Sequence, residues 1–598
     1  MANVVRTCSE RVHGVSRSER RPGVRRLRRA AVLLVALVVL AAPTSAFAHA
    51  GLVRTDPAPN SVVDGSPAQV SLTYTEPVEP RFAIVSVTDP SGAQMTSGPP
   101  TRPGGNTLIV PLKTLQAGWY LVFWRVVSQD GHPVRGAYTF AVGPNPGPAP
   151  QFAIPSTSET AATPGLVAAR AVLFASLLAA IGLIAFRLLI ARPARRIVPS
   201  VSLRPVTVAA LIALAVALVA TPVYVLLATA QFALRSATDV GNLVPLVRDS
   251  SFGRGFTDLW VVIALLALTA VIAIWIDRPE REQRSLAELA ALAGVILTAG
   301  AAVVVPGLAG HPVATSPVGI ALATDALHLM AGSLWLGGLV GLVLLAVTAA
   351  AAVRVDALTV AVPRLSRVAF ASVMVLIASG TVAAVLHLPT LSSLWDTSYG
   401  RTLLIKILLL CAALPLAALN LARSRPRIET VTAAPDVRAG GVALLTRLVG
   451  GEALIVTAIV TVAAVLTSLP PPPKALASLG TVAATVGPGE VRQPLANSAY
   501  RVALNVSPNR AAVPNTYRVA VTKGGKPVTG ADVKMRFTML DMEMGQQVYQ
   551  LTEQAPGSGI YQHDAPAFVM VGRWGVDVNV TPQGGQPFDV TVLDHAGG

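Results

Sequence analysis

Eight uninterrupted apolar runs dominate the chain, near 166–190, 204–229, 258–276, 286–305, 319–349, 367–387, 402–422 and 443–467. Each is about long enough to cross the ~30 Å hydrocarbon layer of a bilayer as a helix. In lipid a helix is one of the few forms that satisfies its own backbone. The fifth run is long enough to tilt or to extend past the bilayer. A content of 53% hydrophobic and 13% charged residues excludes a string of ordinary soluble domains. Two β-rich segments flank the runs, so the fold class expected is multi-domain: an exported all-β domain, an eight-helix transmembrane bundle and a small C-terminal β-sandwich.

The N-terminus reads as a secretory signal over residues 1–48. A basic region from Arg20 to Arg29 precedes an apolar core from Ala30 to Ala42, and Ala46 and Ala48 form the small-x-small cleavage pattern. Cleavage after Ala48 makes His49 the first mature residue, with its α-amine and imidazole able to close one chelate ring on a metal. Cys8 falls in the signal and Cys411 in an apolar run, so the exported parts have neither disulfides nor thiolate ligands. The net charge of +16 does not point to nucleic acid, because much of it sits in the signal and in loops on one side of the bundle.

Those loops set the orientation. With the first domain exported, loops one, three, five and seven are cytoplasmic. They carry Arg192, Arg195 and Arg196; Arg278, Arg281 and Arg284; Arg354 and Arg364; and Arg423, Arg425, Arg427 and Arg438. The short loops around 306–318 and 388–400 lack Lys and Arg. This asymmetry satisfies the positive-inside rule and returns the C-terminal segment to the outside. His311, His328 and His387 then lie toward the outer half of the bundle. Asp325 is one helical turn before His328, on the same face. Ionisable side chains at such depth are costly and mark function.

Between His49 and Gly143, runs such as Val70–Tyr74, Phe82–Val87, Thr107–Leu112, Trp119–Val127 and Ala137–Val142 alternate between turn-forming clusters, giving six or seven short strands. Asp130 and His132, two apart in a polar turn, point to one face if extended. With His49 they make a nitrogen and carboxylate donor set that suits tetragonal Cu(II). In order, the segment reads His49-Ala-Gly-Leu, Asp56-Pro-Ala-Pro-Asn60, Leu72-Thr-Tyr-Thr-Glu76-Pro-Val78 and Trp124 through Asp130-Gly-His132-Pro-Val134. It resembles the CopC family of extracytoplasmic copper-binding proteins. The resemblance implies a Greek-key β-barrel and one Cu(II) site formed by His49, Asp130 and His132, with Glu76 supporting it from behind. A linker over residues 144–164 follows, rich in Pro, Gly, Ser and Thr.

Within the bundle (165–469), His328-Leu-Met-Ala-Gly-Ser-Leu-Trp335-Leu-Gly337-Gly338 and Tyr399-Gly400-Arg401-Thr-Leu-Leu-Ile-Lys406 resemble two signatures of the CopD membrane family. That resemblance implies copper transfer across the cytoplasmic membrane, with His311, His328 and His387 as relay ligands and Asp325 beside them. Arg401 and Lys406 are expected to be structural or lipid-facing anchors. Gly337 and Gly338 are expected to allow close helix packing. No phosphate-binding loop or phosphorylated-pump motif is present, so movement must draw on a gradient, the membrane potential or a partner.

A Pro-rich linker (470–489) leads to the last segment (490–598). Candidate strands there are Arg501–Val506, Tyr517–Thr522, Val533–Leu540, Gln547–Thr552 and Gly575–Val580. Met539, Met542, Met544 and His563 are the candidate Cu(I) ligands, because thioethers are soft donors. Met-x-Met followed by Gly559-Ile-Tyr561 and Gly572-Arg-Trp574 resembles a YtkA-like extracytoplasmic domain.

The expectation is a non-enzymatic copper importer of a bacterial cytoplasmic membrane. Its partners are copper, lipid and an extracytoplasmic copper chaperone or reductase. The alternative is a membrane-anchored copper chaperone or resistance protein that does not transport.

Overall fold

The computed structural model describes residues 52–144 apart from 60, 75, 76 and 128–132, and residues 163–429, 435–469, 471, 472, 479 and 482–597 apart from 541–546 and isolated positions 235, 243, 245–247, 249, 311, 313, 314, 316, 498 and 570.

Among the described residues, eight strands form the first domain: β1 (Leu52–Asp56), β2 (Val62–Val63), β3 (Gln69–Tyr74), β4 (Ile84–Thr88), β5 (Thr101–Gly104), β6 (Thr107–Pro111), β7 (Gly118–Val127) and β8 (Pro133–Val142). They make two four-stranded sheets, ordered β1-β3-β6-β5 and β2-β8-β7-β4. Alternating residues of both sheets fill the space between them, among them Val70, Leu72, Val87, Val110 and Val122. The Tyr74 and Trp124 rings meet edge-on at 5.5 Å.

Among the described residues, eight helices are long and apolar enough to cross a membrane: α1 (Pro164–Ile197), α2 (Arg204–Phe232), α3 (Phe252–Ile276), α4 (Leu286–Leu308), α5 (Val318–Thr348), α6 (Ala351–His387), α7 (Ser398–Ile428) and α8 (Val437–Leu466). Several outrun the apolar stretches that announce them. The first continues past residue 190 because its extra turns are held by a buried ion network. Arg187 Nη1 lies 2.7 Å from Asp277 Oδ2, and Arg192 Nε lies 2.9 Å from Asp277 Oδ1. Glu288 accepts the Arg278 backbone N–H at 2.8 Å and caps the start of α4 together with Ser285.

The helices pack closely where glycines remove side chains. A Cβ on Gly182 of α1 would stand 1.9 Å from the Ser333 carbonyl oxygen of α5, and one on Gly337 would stand 2.4 Å from Gly182 Cα. The backbones of α1 and α5 therefore touch. Gly338 gives the same room to Leu365 of α6, and Gly341 to the Phe186 ring.

The last domain contains β9 (Val482–Val486), β10 (Val491–Asn497), β11 (Tyr500–Ser507), β12 (Asn515–Lys523), β13 (Lys526–Pro527), β14 (Asp532–Met539), β15 (Gln547–Glu553), β16 (Ile560–Ala565), β17 (Gly572–Thr581) and β18 (Phe588–Ala596). Strand β15 joins two sheets, pairing with β14 through Gln547–Leu551 and with β16 through Thr552 and Glu553.

Both β domains sit at one end of the bundle. Arg125 Nη1 of β7 donates to the Phe232 carbonyl at the end of α2 (3.0 Å), and Phe82 and Val127 join the bundle's apolar cluster. On the outer face of β7 and β8, Trp119, Leu121, Phe123 and Ala137 pack with Ala512 of the last domain, and Thr139 Oγ1 donates to the Ala512 carbonyl at 2.8 Å.

The glycine contact predicts that Gly182→Ala lowers the thermal unfolding midpoint of the detergent-purified protein, with overpacking of about 1–3 kcal/mol as the scale. Gly332→Ala, whose Cβ meets nothing within 4 Å, should leave it unchanged. Equal midpoints for both variants would mean that the two backbones are not in contact.

Candidate metal centre

Strand β7, which leads to two of the first domain's candidate ligands, ends on the bundle. His49, Glu76, Asp130 and His132 themselves lie outside the described residues. The strand ends beside them do not. Leu52, three residues after His49, pairs with Tyr74, two residues before Glu76. Val127 pairs with Pro133 on either side of residues 128–132, which include Asp130 and His132. The Tyr74–Trp124 ring contact brings these ends together, and Val127 packs on the bundle.

The bundle end that receives them is formed by the starts of α5 and α7 and the ends of α2 and α6. The ionisable cluster is reached by descending from that end. His328 is ten residues into α5, Lys406 eight residues into α7, and Ser379 eight residues before the end of α6. At 1.5 Å per residue these three meet about 12–15 Å below the end. That is near the middle of a layer ~30 Å thick.

There they form a continuous hydrogen-bonded chain. Lys406 Nζ is 3.2 Å from His328 Nε2, and His328 Nδ1 is 2.9 Å from Ser379 Oγ. Ser379 donates its one hydroxyl proton to the Val375 carbonyl at 2.6 Å. Its oxygen must then accept from His328 Nδ1–H, which leaves Nε2 as the acceptor facing Lys406. The chain assigns the imidazole its tautomer and its orientation. Asp325 lies one turn nearer the β-domain end, and its carboxyl and Lys406 act on each other electrostatically. Two glycines make room: a Cβ on Gly380 would meet the His328 ring at 3.5 Å, and one on Gly307 would meet Asp325 Oδ2 at 3.2 Å.

About 12 Å above Ser379 along α6 lies a second layer. His387 Nε2 is 3.3 Å from Thr315 Oγ1, its Nδ1 is 2.8 Å from the Ala383 carbonyl, and its ring stacks 6.3 Å from that of Tyr399. Below His328, at seven residues further along α5, Trp335 donates its indole N–H to Glu452 Oε1 of α8 at 2.8 Å, in a buried contact. His311 lies outside the described residues. Among the described residues no three His, Cys, Asp or Glu side chains form a group that could hold a metal ion.

One expectation changes here. Lys406 is not a lipid-facing anchor: it turns inward onto His328. A lysine eight residues into a helix of Leu and Ile is deeper than an interfacial anchor needs to be, which was the signal available in the sequence. Ser379 and Glu452 carried no signal, since small hydroxyls and single acids are unremarkable until their neighbours are known.

In the last domain Met539 is 2% exposed and packed in the sandwich core, where a flexible thioether fills space. His563 is half-buried on β16, its ring 5.4 Å from that of Tyr549. Met542 and Met544 lie outside the described residues.

Comparison with known proteins matches these parts in order. Family models match for the CopC domain over residues 52–143, the Copper resistance protein D-like N-terminal domain over 160–311, Copper resistance protein D over 359–466 and the YtkA-like domain over 495–579. Asp325 and His328 fall between the two bundle matches. Copper transport protein CutJ of Bacillus subtilis (strain 168) is 28% identical over 572 residues, 92% of this chain and 95% of that protein. Copper resistance protein C of Xanthomonas campestris pv. juglandis is 35% identical over 120 residues, 19% of this chain and 94% of that protein. The crystal structure of CopC from Methylosinus trichosporium OB3b shares 33% identity and covers 16% of this chain and 95% of its own, with a TM-score of 0.16. Sandwich, bundle and sandwich thus each have a copper-resistance or YtkA-like counterpart in the right order, and the chain belongs to the CopC–CopD fusion proteins, multi-pass membrane proteins of copper transport or resistance.

Proposed function

We propose that this chain captures Cu(II) outside the cell and passes copper inward across the cytoplasmic membrane of a bacterium. The observation that carries the reading is the meeting of two features at one end of the bundle. Val127, at the strand end beside Asp130 and His132, packs there with Phe82, and the His387 and His328 layers descend from there.

Capture belongs to His49, through its amine and imidazole after cleavage at Ala48, with Asp130 and His132 completing the donors and Glu76 behind them. The domain boundaries at 48, 143, 164, 469 and 489 follow the same division of labour. Copper then steps past His311 and His387 to His328 and Asp325. A relay of single imidazoles suits passage, because a cage of three or four ligands would hold the ion too firmly to release it. Reduction to Cu(I) by a partner reductase, or delivery by a chaperone, would precede entry. In the last domain Met542, Met544 and His563 are the Cu(I) donors, with Met539 supporting that strand end from within the core. No catalytic role is assigned to any residue.

Arginine-rich loops at the end remote from the β domains support a cytoplasmic assignment for that end. The membrane potential then favours inward movement of a cation, by about 2.3 kcal/mol per charge per 100 mV. Import needs no nucleotide on these terms.

Two measurements test the reading. In a background with Cys411 replaced by serine, Ser392→Cys should react with a membrane-impermeant maleimide in intact cells, and Glu282→Cys only after lysis. The reverse pattern would invert the direction assigned here. Copper accumulation in cells expressing the chain should exceed that of the His328→Ala variant several-fold, and His49→Ala should cost accumulation only at limiting copper. Equal accumulation in all three strains, with Cu(II) still bound by the exported domain, would leave a membrane-anchored chaperone or resistance protein.

A further inference from the structure

The nitrogen of His328 that a metal would need is already taken. Nδ1 carries the proton donated to Ser379, so Nε2 holds the only available lone pair, and Lys406 Nζ sits on it at 3.2 Å. We propose that Lys406 is a tethered cation that occupies the copper position on His328 until an arriving copper ion displaces it. The inference rests on the reading of His328 as a copper station.

Three physical points support displacement over simple coexistence. The first is stoichiometric: one lone pair cannot accept an N–H bond and bind copper together. The second is charge. The Lys406 ammonium lies 3.2 Å from His328 Nε2, so a second cation on that nitrogen would meet like-charge repulsion at close range. The third is reach. Helix side chains lean toward the helix N-terminus, and α7 starts at the β-domain end. The long stem of Lys406 can therefore swing toward the layer of Thr315, His387 and Tyr399. In the exchange the N–H···N bond breaks, a copper–Nε2 bond forms, and the ammonium keeps its proton. One cation replaces another on the same lone pair, so no redox step or extra proton is required.

The arrangement also selects among ions. Sodium, potassium and magnesium bond weakly to imidazole and prefer oxygen donors. They gain nothing by expelling the ammonium from His328 Nε2. Copper bonds strongly enough to nitrogen to make the exchange favourable.

The test uses the full-length protein in detergent and Ag(I), a redox-stable stand-in for Cu(I), titrated against a competing chelator. The His328-dependent component is the binding lost in His328→Ala. Lys406→Met and Lys406→Gln should tighten that component by roughly tenfold or more, whereas Lys406→Arg should leave it near the wild-type value. A second readout needs no variant: in the wild type, Ag(I) loading should increase acylation of Lys406 by an amine-reactive reagent relative to exposed Lys113. An unchanged or weakened His328-dependent affinity in both neutral variants, or no change in Lys406 acylation on loading, would overturn the displacement while leaving His328 as a ligand. Identical Ag(I) binding by wild type and His328→Ala would overturn both readings.

Discussion

The contact between the backbones of α1 and α5 at Gly182 and Gly337 fixes most of what matters in the bundle. Helices that touch without side chains between them have little freedom to slide or rotate. α5 carries Asp325, His328 and Trp335 along its length, so pinning it against α1 sets the azimuth of all three. Gly338 and Gly341 extend the pinned zone to α6 and to Phe186. With α5 and α6 held, Ser379 stands where His328 Nδ1 needs an acceptor. In lipid, where apolar burial gives helices little reason to associate, such van der Waals contact is a principal source of order.

The two ends of the bundle are built on different principles. At the end remote from the β domains, Arg187 and Arg192 close on Asp277, and Arg192 also donates to the carbonyls of Arg278 and Arg281 at 3.1 Å. That network is saturated and local, as a structural clasp should be. Toward the β domains the His328 and His387 groups are stacked in layers, with Arg170 bonded to Tyr224 and Ser468 nearby. A buried carboxylate with two guanidinium partners is hard to disturb. A histidine with one hydroxyl and one amine on its nitrogens can exchange either.

Much of this was legible in the sequence, for identifiable reasons. Span number followed from hydropathy because lipid forces each crossing to be long and apolar. Span length did not, since the added turns of α1 and α6 depend on pairings such as Arg187 with Asp277, 90 residues apart. The pairing of Asp325 with His328 was readable because helical spacing alone puts them on one face. The depth of Lys406 was readable as well, but its partner was not, because that depends on how α7 faces α5. In the first domain the long central strands were clear from alternation, whereas β2 and β5 are too short to announce themselves. In the last domain β9, β10, β13, β16 and β18 carry no comparable signal. The parallel pairing of β9 with β18 joins segments more than a hundred residues apart, and neither shows a pattern strong enough to stand alone.

The bond from Arg125 to the end of α2, and that from Thr139 to Ala512, also bear on kinetics. A binding module on a slack tether meets its acceptor by diffusion and can lose its cargo to solvent on each trip. A module braced on two sides has already spent that search. On the proposed import route its cargo would meet the acceptor at an effective concentration of millimolar order, whatever the concentration of free ion outside. The two bonds would then make the yield of each hand-over a property of the protein's own geometry, largely uncoupled from scarcity in the surroundings.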